Sequence, residues 1–416
     1  MPTNHAPPAE TSARRRAVWL TAALSMALGG VPAAAAAAPG GTPASVESVT
    51  FRRAMTGATA PAAAGATEGA PLTVAGRVLA EDESGTIFLQ QPDGAVWLIA
   101  GDEVLGRSAT GESFQPLDAD ALAERVLAEL PDGFAVYQTP HYVVAYETSR
   151  GFARWTASML ERLNRAFTAH WKRQGFELNS PEFPLVVIVH ATAAGYAEAS
   201  AAELGAPVGG MVGYYSLQSN RVRMYDLTGG EARRAPGSRG SLKEINRMLA
   251  SPAAAPLVAT VVHEATHQIA FNCGLHTRYA DLPLWLVEGM AVYFEAPDLS
   301  SGRGWRGIGK VNYPRLEVFQ SNLPRWKPGG VVRLVATNER LRDPQEAGAA
   351  YADAWALNYF LIKQRPADYT AYLKEMAAKP ALAGDTAEQR LADFRRYFGD
   401  PDELQRVFLA KMARLR

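Results

Sequence analysis

The sequence of 416 residues contains a single cysteine and no excess of either charge. Lys plus Arg and Asp plus Glu total 42 each, so the formal net charge is zero. Without a basic surplus there is no electrostatic footprint for nucleic acid, and we expect no nucleic-acid partner. The lone Cys273 excludes a disulfide within the chain and any metal site built from several thiolates. We expect Cys273 to be a small buried side chain.

Long apolar runs are also scarce, and the one near the N terminus is typical of an export signal. Three arginines at 14–16 precede an apolar run over 17–31, and alanines at 33–38 offer A-x-A cleavage positions. The run is too short, and too interrupted by glycine, to span a bilayer comfortably. We predict a signal peptide over 1–38 and a periplasmic or secreted protein without a transmembrane segment after cleavage. The export route, Sec or twin-arginine, stays open, and an alanine-rich tail is the alternative interpretation.

Composition and turn signals divide the rest of the chain. Residues 39–70 are rich in Ala, Gly, Pro and Thr, which predicts a flexible linker. Over 71–110 two apolar strands flank a PDG turn, which predicts a small β module of undetermined role. We assign 111–300 to a core domain and 301–416 to a helical C-terminal subdomain.

Hydrophobic periodicity inside the core domain indicates both strands and helices. A strand is predicted over 141–148, a long helix with one aromatic face over 152–171, and a strand buried on both faces over 184–190. The segment 213–226 alternates and turns near its middle, as a hairpin or a bent strand does. With the helical stretches that follow, this pattern predicts an α+β fold.

The segment VVHEATHQIA contains the motif H-E-x-x-H in His263, Glu264 and His267. Residues 254–272 have the length and apolar content of a buried helix, and Gly274 stands where a C-terminal cap is expected. Positions i and i+4 share a helix face, so the two histidines can direct their ring nitrogens at one metal ion. Glu264, about 100° round the helix, can reach a water on that ion without ligating it. The alternative, a pair of ordinary core histidines, leaves buried polar groups that need another partner.

A third ligand is predicted in the apolar segment DLPLWLVEGMAVYFE, residues 281–295. Glu288 lies in its middle beside Gly289, which permits close backbone approach. Glu295 shares roughly the same face but lies about 10 Å further along the helix axis, so both cannot bind one ion. We choose Glu288 as the ligand, and Glu295 as an outer partner or a surface residue.

H-E-x-x-H followed by W-L-x-E-G-x-A-x-Y-x-E resembles the gluzincin zinc metallopeptidases, notably the aminopeptidase N-like group. The segments HEATHQ, GLHTRYAD and PLWLVEG also resemble an uncharacterised family of exported bacterial proteins with a peptidase-MA-like gluzincin domain. The resemblance covers about residues 134–300, and extends to 365 if the predicted helix that contains YADAWAL belongs to it. It implies a zincin-like core made of a mixed sheet, an active-site helix and a second helix that bears a ligand.

The resemblance further implies one Zn²⁺ per chain, held by His263, His267 and Glu288, with Glu264 as the general base. Such a site hydrolyses peptide bonds in a peptide or protein substrate through a water activated by zinc. Two rivals stay open. One is a zinc hydrolase acting on a non-peptide amide or a cell-wall substrate, and the other is a catalytically idle binding or scaffold protein that retains the site.

Two details refine the expected activity. The chain has no G-x-M-E-N segment, and GGMVGYY, residues 209–215, lacks the glutamate that would read a free amino terminus. This favours an endopeptidase over an aminopeptidase. A donor must also stabilise the oxyanion, and the candidates are His276, Tyr279 and Tyr351. The favoured interpretation is an ordinary loop histidine for His276 and a core side chain for each tyrosine. The oligomeric state is not indicated.

Overall fold

The computed structural model describes residues 44–52, 70–204, 210–229, 241–296 and 307–416. These residues form two β-sheets and a helical C-terminal part, which confirms a mixed helix and strand fold. The predicted signal peptide, 1–38, lies outside the described residues. Within the described part of the chain, none of the helices combines the length and the apolar character needed to cross a membrane.

The elements are numbered in chain order. The strands are β1 (Ser45–Arg52), β2 (Pro71–Glu81), β3 (Ile87–Gln90), β4 (Val96–Ile99), β5 (Val104–Ser113), β6 (Ala135–Gln138), β7 (Tyr142–Tyr146), β8 (Leu185–His190), β9 (Gly213–Tyr215) and β10 (Arg221–Tyr225). The helices are α1 (Ala119–Glu129), α2 (Arg150–Arg173), α3 (Ala193–Leu204), α4 (Leu242–Leu249), α5 (Ala255–Asn272), α6 (Leu284–Phe294), α7 (Tyr313–Asn322), α8 (Gly330–Ala336), α9 (Glu339–Arg342), α10 (Ala347–Gln364), α11 (Pro366–Ala377), α12 (Ala387–Phe398) and α13 (Pro401–Met412).

The first sheet has the strand order β4-β3-β2-β1-β5 and is antiparallel throughout. Its predicted hairpin around the PDG turn is confirmed as β3 and β4. The linker prediction is wrong for 45–52, because β1 pairs with both β2 and β5 inside the sheet. The reason is local: Val49 and Phe51 alternate with polar residues and bury themselves beside Trp97. The composition of the surrounding segment hid this short strand.

The second sheet has the order β6-β7-β8-β10-β9, with β7, β8 and β10 parallel and both edge strands antiparallel. The predicted hairpin over 213–226 is confirmed as β9 and β10. Strand β8 is buried on both faces, as its continuous apolar run predicts. One face packs in the large core with α2 and α5, and the other packs with α1. The short strand β9 forms an edge of this sheet.

The helical C-terminal part shares its core with the second sheet. One continuous cluster of buried side chains runs from Tyr142 of β7 to Met412 of α13. Helix α10 packs against α6 at Gly289, where an added Cβ would lie 2.5 Å from the carbonyl oxygen of Ala354. The C-terminal helices therefore complete the core around α6.

Candidate metal centre

Helices α5 and α6 bring three potential metal ligands together. Helix α5 carries His263 and His267 on one face, with their Nε2 atoms 3.1 Å apart. From α6, an Oε2 of Glu288 lies 3.1 Å from Nε2 of His263 and 3.5 Å from Nε2 of His267. All three side chains are at most 2% exposed. The predicted helix and its cap are observed as well, since α5 ends before Gly274, whose φ is +81°.

The spacing of these three atoms suits a divalent ion. Tetrahedral zinc, with bonds of about 2 Å, holds its ligand atoms about 3.3 Å apart, close to the observed 3.1–3.5 Å. Nε2 of His263 faces two partners at once, the Nε2 of His267 and a carboxylate oxygen, although a ring nitrogen offers only one proton or one lone pair. The second oxygen of Glu288, Oε1, is buried without a hydrogen-bond partner among the described residues. His263, His267 and Glu288 could therefore hold a metal ion.

The charges of this group agree with that interpretation. Burial raises the pKa of Glu288, but the charge of His267 and the hydrogen bond from His263 outweigh it, so the pKa lies well below the usual value. Burial lowers the pKa of His263, but its hydrogen bonds to Glu288 and Glu295 raise it to about 10. The site thus stabilises positive charge between its ligands.

Glu295 is the outer partner of His263 rather than a surface residue. Its Oε2 lies 3.2 Å from Nδ1 of His263, on the side of the ring opposite Glu288. Its Oε1 accepts hydrogen bonds from Asn312 at 3.1 Å and from Arg315 at 3.4 Å. A carboxylate on the second ring nitrogen fixes the orientation of a ligating histidine and increases its basicity. Sequence spacing suggested Glu295 as an outer partner of the site. The hydrogen bonds that Asn312 and Arg315 donate to Glu295 were not predicted.

Glu264 lies beside the three ligands and faces the edge of the second sheet. One of its carboxylate oxygens accepts the backbone N–H of Tyr215 at 2.9 Å. The side chain is 4% exposed, and burial raises its pKa above the usual value. Sequence reasoning could not identify the Tyr215 donor, because a backbone N–H carries no residue-specific signal. The arrangement gives Glu264 a fixed position and an increased affinity for a proton.

Two of the three candidate oxyanion donors lie close to the ligands. His276 follows α5 and packs against Phe271, with ring centroids 5.3 Å apart. Burial lowers its pKa to about 3, and the charge of His267 adds to this effect. A hydrogen bond with the backbone of Leu275 opposes this effect only in part, so His276 is a neutral imidazole. The ring of Tyr351, on α10, lies 6.5 Å from that of His263.

The third candidate, Tyr279, is directed toward the β module. Its ring packs against Phe88 of β3 at 5.1 Å, and its carbonyl accepts the N–H of Leu382. In the described part of the chain, no hydrogen bond or ring contact joins Tyr279 to the metal-ligating group. The catalytic role of Tyr279 stays a prediction. The backbone of Tyr279 is left-handed, with φ +61°.

Cys273 has the passive character expected of it. The thiol is buried in the large core, and burial raises its pKa to about 12. A thiol held protonated in an apolar environment is a weak nucleophile and a poor ligand. It contributes packing at the end of α5.

Comparison with known proteins adds one match. Residues 257–383 match a family described as "Protein of unknown function (DUF1570)". The matched segment begins inside α5 and includes all three potential ligands together with Glu264, Glu295, His276 and Tyr351. No curated protein matches the chain. The family description assigns no activity, so function has to be argued from the site itself.

Proposed function

We propose that this chain is an exported, zinc-dependent metallopeptidase of the gluzincin type that cleaves within peptide chains. The observation that carries the proposal is the buried set of two histidines and one glutamate with a fourth group, Glu264, fixed beside it. A purely structural zinc site has four protein ligands and no need of such a carboxylate. Three protein ligands leave a position for water, which is the arrangement of catalytic sites.

The residues divide the chemistry between them. His263, His267 and Glu288 would hold the zinc, which when bound polarises a carbonyl and makes water nucleophilic near neutral pH. Glu264, whose pKa is raised by burial, accepts the proton of the attacking water and returns it to the leaving amine. The N–H of Tyr215 keeps the carboxylate in position for both transfers. His276, a neutral imidazole whose pKa is also affected by the charge of His267, is our first choice as oxyanion donor.

The edge strand β9 supports a peptide as the substrate. An extended peptide can add to a free sheet edge through main-chain hydrogen bonds. Strand β9 is the edge strand of the second sheet, with all three of its residues buried, and its Tyr215 contacts Glu264 directly. A peptide can add to this edge only when the structure that covers it moves aside. A peptide bound along β9 would therefore run past the proposed base. The lack of a glutamate to read a free amino terminus leaves internal bonds as the expected point of cleavage.

Burial of the site limits which substrates can be used. The three ligands and Glu264 are 1–4% exposed, so a peptide reaches them only when part of the surrounding structure moves aside. Short or unfolded peptides need less displacement than folded proteins. We therefore expect unfolded substrates to be cleaved in preference to folded ones.

Elemental analysis of the purified protein tests the metal. We expect one zinc per chain in the wild type and its loss or a sharply lower affinity in Glu288→Ala, with Glu161→Gln as a control. Glu161 is also a buried glutamate paired with a histidine, but it lies on α2 and contacts His141. Absence of zinc from metal-replete wild type would refute the proposal.

Hydrolysis is tested on an unfolded protein, with the products identified by mass spectrometry. Glu264→Gln should retain zinc and lose activity by a factor of about 10²–10⁴, the usual contribution of a general base. Internal cleavage products would support an endopeptidase, and stepwise loss of terminal residues an exopeptidase. If the protein binds zinc but hydrolyses neither peptides nor cell-wall amides, the remaining hypothesis is a catalytically idle binding or scaffold protein.

Export is proposed from the sequence alone, on the arginines and the apolar run that precede residue 39. Fractionation of cells that express the full-length chain with a C-terminal tag tests it. A shortened product outside the cytoplasm is expected, and a full-length cytoplasmic product would contradict the proposal.

A further inference from the structure

The turn between β3 and β4 of the β module is tightly bound to the turn between β9 and β10. We call residues 91–96 the module turn and residues 216–220 the sheet turn. The N–H of Val96 donates to the carbonyl of Gln218 at 2.8 Å. The guanidinium of Arg278 donates to the carbonyls of both Gly94, at 2.9 Å, and Leu217, at 3.3 Å. Backbone atoms of the two turns are thus held together directly and through one side chain.

Two buried arginines maintain this contact. Arg278 is 8% exposed, and the loss of hydration on burial lowers its pKa. Arg221, at the start of β10, pairs with Asp93 of the module turn at 3.4 Å and with Glu129 at 2.6 Å. Buried cations with this many protein partners fix the geometry of the groups around them.

The sheet turn is bound equally firmly to α5. Asn220 adopts a left-handed backbone, with φ +60°, and is 3% exposed. Its carboxamide exchanges two hydrogen bonds with that of Asn272, at 2.9 and 2.7 Å, and accepts the hydroxyl of Tyr215 at 2.7 Å. Gln268 donates to the Asn220 carbonyl at 3.1 Å. The sheet turn therefore lies between the β module and the helix that carries His263, Glu264 and His267.

We propose that the module turn is a positioning element of the candidate site. The module turn fixes the position of the sheet turn, and the sheet turn fixes the position of strand β9. The backbone N–H of Tyr215 on β9 then holds the carboxylate of Glu264 in place. Gly94 and Asp93 are the positioning residues on the module. They act on the sheet turn, where Asn220 lies against Gly94. The part played by Glu264 in this chain of contacts rests on the proposed function. The β module thereby becomes a component of the site rather than an appendage.

Two glycines of the β module provide a matched pair of variants. Gly94 and Gly111 both have a left-handed backbone, with φ +84° and +79°, so alanine introduces a similar backbone strain at either position. A Cβ on Gly94 would lie 3.1 Å from the Nδ2 of Asn220 and 3.2 Å from Phe183, whereas a Cβ on Gly111 meets nothing within 4 Å. Gly94→Ala therefore presses on the sheet turn, and Gly111→Ala serves as the control.

Hydrogen exchange measured by mass spectrometry gives a readout that needs no substrate. In Gly94→Ala we expect exchange over 213–225 to be roughly tenfold faster than in Gly111→Ala, because the hydrogen bonds that hold β9 open more readily. The visible spectrum of the Co²⁺-loaded protein gives a second readout. Gly94→Ala should shift this spectrum toward that of Glu264→Gln, while Gly111→Ala should match the wild type.

If Gly94→Ala does not fold, Asp93→Asn replaces it. Asparagine still accepts the N–H of Ala95 but loses the charge that faces Arg221. Its control is Glu81→Gln, which removes the negative charge of an exposed ion-pair partner of Arg107 on the same module. Equal exchange and equal spectra in test and control variants would overturn the proposal. Failure of the proposed function would show separately, as hydrolysis unaffected by Glu264→Gln.

Discussion

His170 and His263 show what distinguishes a core histidine from a candidate metal ligand. Both are buried and lie on long helices, α2 and α5. The ring of His170 packs among those of Trp171, Tyr293 and Phe294, with centroids 4.9–5.8 Å away, and its Nε2 has no hydrogen-bond partner among the described residues. Burial lowers its pKa to about 4. An imidazole in such surroundings is neutral and serves as an aromatic side chain.

His263 is buried even more completely, yet its pKa is raised to about 10. The difference comes from the carboxylates of Glu288 and Glu295, one at each ring nitrogen. Burial by itself disfavours charge on a histidine, and only opposite charges brought to it by another element reverse that effect. The candidate metal centre therefore depends on the pairing of α5 with α6 and not on the H-E-x-x-H helix alone.

The largest effect we expect from this difference is on the pH dependence of zinc binding. Metal-free His263 carries a proton below about pH 10, and zinc must displace it. Affinity should therefore rise about tenfold per pH unit, or about 100-fold from pH 6.5 to 8.5. Competition with a chelator of known proton affinity measures this. Affinity that levels off above pH 7, as an ordinary histidine would give, contradicts the interpretation.

Replacing Glu295 with glutamine should bring His263 closer to the behaviour of His170. The variant keeps the shape of the side chain but loses the negative charge at Nδ1 of His263, and outer partners of this kind contribute about 10–100-fold to metal affinity. Zinc titration of Glu295→Gln against wild type measures the loss. Glu161→Gln, whose glutamate contacts His141 instead, should bind zinc as the wild type does. Equal affinity in all three proteins would show that Glu295 has no influence on the ligand.

The smallest effect concerns stability at acid pH. The pKa of His170 is depressed to about 4 in the folded state, so the unfolded chain takes up a proton as pH falls through 6.5 while the folded chain does not. Stability from this residue is present at neutral pH and lost as pH falls. Between pH 7.5 and 5.5, metal-free wild type should lose about 1.4 kcal/mol more than His170→Leu. Urea unfolding at the two pH values measures it, and an equal loss in both proteins would contradict the assignment.

Much of the local structure could be read from the sequence. Helix α5 and its Gly274 cap, the buried strand β8, the PDG hairpin and the long helix α2 follow from periodicity and turn residues, which act within a few positions of one another. Strand β1 was missed because its short alternation lies in a segment of linker-like composition. The packing of α10 against α6 stayed open in the sequence, because an apolar helix face does not indicate which element covers it.

For the candidate site, the sequence by itself determined which residues could be ligands. The i, i+4 spacing of His263 and His267 fixes their common helix face. A glutamate in an apolar helix needs a cation or a hydrogen-bonded partner. Tertiary structure alone decided the rest: the outer contact of Glu295, the N–H of Tyr215 on Glu264, and the packing of Tyr279 against the β module. These contacts join elements far apart in the chain, and their geometry depends on how sheets and helices pack, which no local pattern encodes.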